Sequence, residues 1–160
     1  MVDWGKLAKL DAISVELKVL ERLIGNWNAS LVYKPAEWTP TEVKTNRTYQ
    51  GEWALDGQLV YSTAKDSDGT ESLFLWSFDP QAKRFKLWRF TSTGQTSKMS
   101  GTWDAASETM TLKSTLPNGL DFLMTVHLPE NHSQHWNGIV TDQAGKVYFN
   151  MDGQGNRRKE

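Results

Sequence analysis

Arg47 and Tyr49 stand two positions apart in a run from Val43 to Trp53 whose residue types alternate. Lys44, Asn46, Thr48, Gln50 and Glu52 share one parity, while Val43, Thr45, Arg47, Tyr49 and Trp53 share the other. Successive side chains of a strand point to opposite faces, so the alternation predicts a guanidinium on the apolar, aromatic face. A charge held there without a partner is costly. Two readings satisfy it. Arg47, with Tyr49 and with Tyr61 on the adjoining hairpin strand, clamps the carboxylate or other anionic head of an amphipathic ligand, a task suited to a planar five-donor fork. Alternatively Arg47 pairs internally with Asp121 or Glu108, or sits at a rim with its head in water.

Other chemistry finds less support. The 160 residues contain no cysteine, which excludes disulfides, thiolate metal sites and a Cys nucleophile. There is no Ser-His-acid order, Gly-rich phosphate loop or His-Glu-x-x-His motif. Paired carboxylates such as Asp66 and Asp68 fall in turns or on outward faces. His127 alternates with Asp121, Leu123 and Thr125, and His135 with Asn137 and Thr141, so both rings are expected to point outward. His132 lies in the Pro129 to Asn131 turn, and residues 132 and 135 face opposite ways on a strand, a poor metal pair. No cofactor is required by these patterns.

The elements that must position these groups are strands. From Leu55 onward short turn signals recur: Asp56-Gly57, Asp68-Gly69, Asp79-Pro80, Thr93-Gly94, Pro117-Asn118-Gly119, Pro129-Glu130-Asn131 and Ala144-Gly145. Asp-Gly and Asn-Gly between β-type runs are strong hairpin signals, because a type I′ turn needs positive φ at both central residues. The runs give about ten strands, over 26–34, 42–54, 58–64, 71–79, 83–92, 95–104, 108–115, 120–128, 133–142 and 146–151. An antiparallel meander this long removes its raw edges by closing into an up-and-down barrel. Parity assigns inner faces to Trp27, Leu31 and Tyr33; to Leu59 and Tyr61; to Met99 and Trp103; and to Phe122, Met124 and Val126. Met110 with Leu112, Trp136 with Val140, and Val147 with Phe149 and Met151 complete the set. Strands 71–79 and 83–92 are apolar on both parities, which predicts a covered outer face, with the helix as the cover.

That helix is read over 3–24. Ile13, Leu17, Leu20 and Ile24 line one face, Gly25 stops it, and Asp11 or Ser14 marks a kink. Residues 1–25 thus pack as a helical segment, a lid or plug on one end of a barrel of residues 26–160, in a single domain; the polar face carries no basic excess that would suit a membrane surface. Eighteen basic and 19 acidic residues give a net charge of −1 with interspersed signs, which argues against a nucleic-acid partner. No apolar run reaches the length of a membrane span, and Met1-Val2-Asp3-Trp4 does not begin a signal peptide, so a soluble, cytoplasmic protein is expected. Eight tryptophans are a large apolar payload for a chain that is 38% hydrophobic. Trp53, Trp76, Trp103, Phe122, Met124 and Trp136 are expected to line an apolar lumen closed at its polar end by Arg47, Tyr49 and Tyr61. The wide aromatic face could instead be closed by a second copy in a homodimer.

The string Leu20-Glu21-Arg22-Leu23-Ile24-Gly25-Asn26-Trp27 resembles the helix and Gly-x-Trp that open many calycin barrels, the superfamily of lipocalins and fatty-acid-binding proteins. With Trp53-Ala54-Leu55-Asp56-Gly57-Gln58-Leu59, Phe78-Asp79-Pro80 and Gly101-Thr102-Trp103-Asp104, the chain over roughly 15–158 resembles an uncharacterised bacterial lipocalin-like family of unknown function. The resemblance implies a closed calycin-like β-barrel and no particular activity. It also implies that Trp27 packs over the closed barrel end against an arginine near the last strand, supplied by Arg157 or Arg158. The function expected is binding of a small hydrophobic or amphipathic molecule in the lumen. One lipocalin-like branch, the nitrobindins, binds haem through a single late-strand histidine, which makes a haem barrel the alternative. An isomerase or hydrolase working in the barrel mouth is a third reading, by analogy of fold alone.

Overall fold

The computed structural model describes residues 15–159. Ten strands follow one another as β1 (Gly25–Tyr33), β2 (Val43–Ala54), β3 (Leu59–Asp66), β4 (Glu71–Asp79), β5 (Arg84–Thr91), β6 (Thr96–Asp104), β7 (Thr109–Thr115), β8 (Asp121–His127), β9 (Ser133–Thr141) and β10 (Val147–Arg157). Each pairs antiparallel with its neighbours, and β10 returns to pair with β1, which closes the barrel. This is a lipocalin-like architecture with no unpaired edge. No helix among the described residues is long and apolar enough to cross a membrane.

Strand ends agree with the sequence reading to within two residues, except that β10 continues to Arg157 instead of stopping at 151. The Gly153-Gln154-Gly155 stretch has the composition of a terminator and is strand instead. A Cβ on Gly153 would lie 2.5 Å from the Trp136 ring and 2.6 Å from Leu31, and one on Gly155 would lie 2.7 Å from the Tyr49 hydroxyl. These glycines leave space for large neighbouring side chains, as strand glycines often do.

The hairpins at one end share a single turn. In β3–β4, Gly69 N–H donates to Asp66 O and Asp66 N–H to Thr70 O; Thr91 to Gln95, Leu116 to Leu120 and Asp142 to Lys146 repeat the pattern. Gly69 sits at φ +90°, while Ser67 and Asp68 do not have positive φ. The turn is therefore a type I turn followed by a left-handed glycine, not the type I′ turn expected; three loop residues, rather than two, allow it. Nothing lies within 4 Å of a Cβ built on Gly69, so backbone conformation alone calls for glycine.

The helix fills the opposite end. The described part is α1 (Val15–Lys18) followed by a 3-10 helix, Val19–Leu23; the rest of the expected helix, with Ile13 and the kink positions, lies outside the described residues. Leu17, Leu20 and Leu23 are buried in one cluster with Val60, Trp76, Met110 and Leu128 from the barrel wall. Gly51 permits this approach, since a Cβ there would stand 2.1 Å from Leu23 O. The described part of the helix takes the expected place of a plug at a barrel end, its apolar side chains filling the interior, while it does not serve as the cover expected for the outer wall of β4 and β5, where Phe90 is 41% exposed. Interior burial removes far more leucine surface from water than an outer wall would.

Candidate functional site

Below the plug, the floor of the lumen is closed by the protein's own polar groups. Tyr49 stacks flat on Trp27 with ring centroids 5.7 Å apart and meets Trp136 edge-on at 5.6 Å. Its hydroxyl donates to Gln134 Oε1 at 2.7 Å, and Gln134 Nε2 donates in turn to Arg22 O at 3.0 Å. Burial pushes the Tyr49 phenol far above the usual tyrosine range, so it stays neutral. Arg22 reaches Glu108 Oε1 at 2.7 Å and lies over the Trp103 ring at 5.3 Å. Arg157, opposite Trp27 in the β1–β10 register, places its guanidinium 5.2 Å over the indole and donates to Ile24 O. Glu108 is thus engaged by Arg22 and not by Arg47.

Above the floor lies a cavity of about 280 Å³ whose wall includes Trp76, Leu87, Met99, Phe122, Met124 and Trp136. It reaches the end of the barrel opposite the helix, where Tyr33, Arg47, Phe74, Arg89 and Phe149 surround it. Arg47 pairs with Asp66, its cross-strand partner: Nε donates to Oδ1 at 2.6 Å and Nη2 to Oδ2 at 2.8 Å. Both side chains are largely buried, at 12% and 7% exposure. Burial works against the Arg47 charge, but the Asp66 bonds and charge outweigh it and hold its pKa above the ordinary arginine value. The bidentate fork is therefore already occupied.

Arg89 is in the opposite situation. It shares with Arg47 the Phe74 ring, whose centroid lies 5.7 Å from the Arg47 guanidinium carbon and 5.8 Å from that of Arg89. Its one hydrogen bond among the described residues is a long one, Nη2 to Ser72 Oγ at 3.4 Å. No carboxylate of the described residues lies within ion-pair distance. Burial lowers its pKa, and the neighbouring Arg47 charge lowers it further. The Tyr33 phenol, raised above its usual value chiefly by burial, feels the charges of Arg47, Asp66 and Arg89 alike.

Of the residues expected to form the site, Arg47, Tyr49, Trp76, Phe122, Met124 and Trp136 line the cavity. Trp53 and Trp103 pack instead against the core cluster at the helix end. Tyr61 is corrected: it points outward and donates its hydroxyl to Glu52 Oε2 at 2.6 Å. Leu59 faces outward with it, since the inner parity of β3 is Val60, Ser62, Ala64 and Asp66, all buried. The same one-residue inversion moves Asp66 from the expected solvated turn to the interior, while Asp121 stays on the surface with Thr115 and Gln143. Arg89, Phe74 and Gln134 are lumen residues that the sequence reading did not place in the site. Arg89 shares parity with Phe85 and Leu87, but Trp88 and Phe90 on the other parity hide that signal.

The histidines lie away from the cavity. His127 Nδ1 is 3.0 Å from Ser107 O, His135 Nε2 is 3.6 Å from Asp152, and His132 is in the loop after β8. Among the described residues no imidazole lines the lumen, and no group of three or more His, Cys, Asp or Glu is set to ligate a metal.

Fold and cavity together define a lipocalin-like barrel with an apolar lumen. Among solved structures, the chain is similar to Rv2717c from M. tuberculosis, with a TM-score of 0.64 and 11% identity over 92% of this chain and 100% of that one. It is also similar to the S-type phycobiliprotein lyase CPES from Guillardia theta, with a TM-score of 0.60 and 11% identity over 92% of this chain and 94% of the lyase. At these identities the likeness establishes the barrel and not a family. No family model matches the chain, and no curated protein matches it in sequence.

Proposed function

We propose that this protein binds a small hydrophobic or amphipathic molecule in the barrel lumen, apolar body toward the floor and polar end toward the mouth. The observation that carries the reading is the cavity of about 280 Å³ between a plugged floor and an open mouth, lined by aromatic and methionine side chains. Concave, mostly apolar sites with a few convergent polar groups are where small molecules bind. Near the floor Tyr49 and Gln134 bond to each other and to the Arg22 carbonyl, whereas at the mouth Arg89 has only the long bond to Ser72 among the described residues.

Native mass spectrometry of freshly purified protein, beside its denatured mass, tests for a retained ligand. Titration with the neutral dye phenylnaphthylamine tests the lumen directly. Dye fluorescence is expected to rise on binding and to be lost in Ser97→Trp, which fills the cavity from the β6 wall, while Leu123→Trp on the outside leaves it unchanged. A bare chain that takes up no dye, or dye binding that survives Ser97→Trp in folded protein, overturns the reading.

A further inference from the structure

We propose that the lumen ligand is a compact monoanion whose charged group is held by Arg89, an assignment that rests on the lumen-binding reading above. The cavity wall carries two guanidiniums and no carboxylate, and the adjacent Asp66 neutralises one of them. One positive charge is left over. Arginine cannot shed it by losing a proton near neutral pH. Since a partly buried charge calls for a counter-charge or full hydration, the site is complete only when an anion or ordered water meets it.

Geometry separates the two arginines. Asp66 takes Nε and Nη2 of Arg47, the pair of donors that a ligand carboxylate would otherwise use. Arg89 keeps its fork apart from the long contact to Ser72, and with Arg47 and the Phe74 ring it lines the cavity. Tyr33, whose hydroxyl donates to no described group, borders the same space and supplies a further donor. A single uncompensated cation matches one negative charge better than two. The small cavity selects a compact body, such as a fused-ring or short-chain carboxylate or sulfonate, over a long acyl chain.

Two dyes with the same aromatic body decide the matter: neutral phenylnaphthylamine and anionic anilinonaphthalene sulfonate. Wild-type protein is expected to bind the anion about ten- to a hundredfold more tightly than the neutral dye, the value of one charge-assisted hydrogen bond or a pair of them. Arg89→Met should remove that preference and leave the neutral dye within about twofold of its wild-type affinity. Asp66→Asn releases the Arg47 fork and should tighten binding of the anion, which a clamp built on Arg47 with Asp66 as its orienting partner would not do. If neither dye enters the lumen, the binding reading itself fails. If the neutral dye binds and the anion binds no better, or keeps its advantage in Arg89→Met, the charge assignment fails while the lumen reading stands. Should Arg89→Met not fold, the wild-type dye pair and Asp66→Asn still separate the two arginines.

Discussion

The two ends of the barrel are built from similar residues and finished in opposite ways. At the floor, Arg22 is met by Glu108, Glu130 and the Leu128 carbonyl, and Arg157 by the Ile24 carbonyl and the Trp27 ring, although its buried Nε has no hydrogen-bond partner among the described residues. Leucines of the helix fill what space remains. At the mouth, Arg47 is met by Asp66, and Arg89, on the same Phe74 ring, has a long bond to Ser72 and no carboxylate of the described residues within ion-pair distance. The contrast separates stability from binding. Groups paired within the protein hold the barrel closed, and Arg89, the lumen guanidinium without a carboxylate, is where the proposed ligand would contribute most.

That contrast can be broken in several places. The largest effect is expected from Arg47→Met, which strands the buried Asp66 carboxylate and should cost about 3–5 kcal/mol in denaturant unfolding. The double variant Arg47→Met, Asp66→Leu should recover most of it, and a double variant as unstable as the single would show that the pair is not the cause. Leu20→Ala at the fully buried centre of the plug should cost about 2–5 kcal/mol, while folded protein keeps its affinity for phenylnaphthylamine. Lost dye affinity in folded Leu20→Ala would mean that floor and mouth are coupled.

Arg89→Met is expected to act with the opposite sign, raising stability by about 1 kcal/mol because it removes a partly desolvated charge that no carboxylate of the described residues pairs with. A clear loss of stability would show that Arg89 supports the wall. The smallest effect belongs to the rim. Asp152 accepts from Lys34 and Asn137, and the Lys34 bond chiefly holds its pKa below the usual carboxylate range against the opposing effect of burial. A carboxyl whose pKa is depressed by folding stabilises the fold above its unfolded pKa of about 4 and loses that contribution as pH falls through the lower, folded value. Asp152→Asn should therefore cost about 0.5 kcal/mol near pH 7 and nothing once both pKa values have been passed in acid. Unequal stabilities in strong acid would contradict this.

Sequence pattern reached the architecture through turn residues and alternation, both of which are local. It reached Arg47 on β2 for the same reason. It failed one hairpin later, because large apolar residues of β3, Leu59 and Tyr61, face outward while the small set Val60, Ser62 and Ala64 faces in, beneath the side chains that fill the lumen. Size ranks poorly where the interior is already crowded. Register would have corrected it: counting outward from the Leu55–Gln58 turn pairs Ala54 with Leu59, Trp53 with Val60 and Arg47 with Asp66, and cross-strand partners share a face. The counter-ion of Arg47 was thus readable from the chain. The empty fork of Arg89 was not, because it depends on what β3, β4 and β5 fail to bring near it.

The seam between β1 and β10 has a consequence for how the protein is made. Trp27 finds its place opposite Arg157 only when the last strand has arrived, so nine strands must wait with the first one's outer edge unpaired. Pairings between distant parts of a chain form late and slowly, and exposed edges are adhesive in the interval. The strand that completes the ring is also the one thinned by Gly153 and Gly155, which have no side chain to hold it before Trp136 is in position. During synthesis the barrel therefore stays an open ribbon until its final segment leaves the ribosome, and that last step is where a cell's chaperones would have most to do.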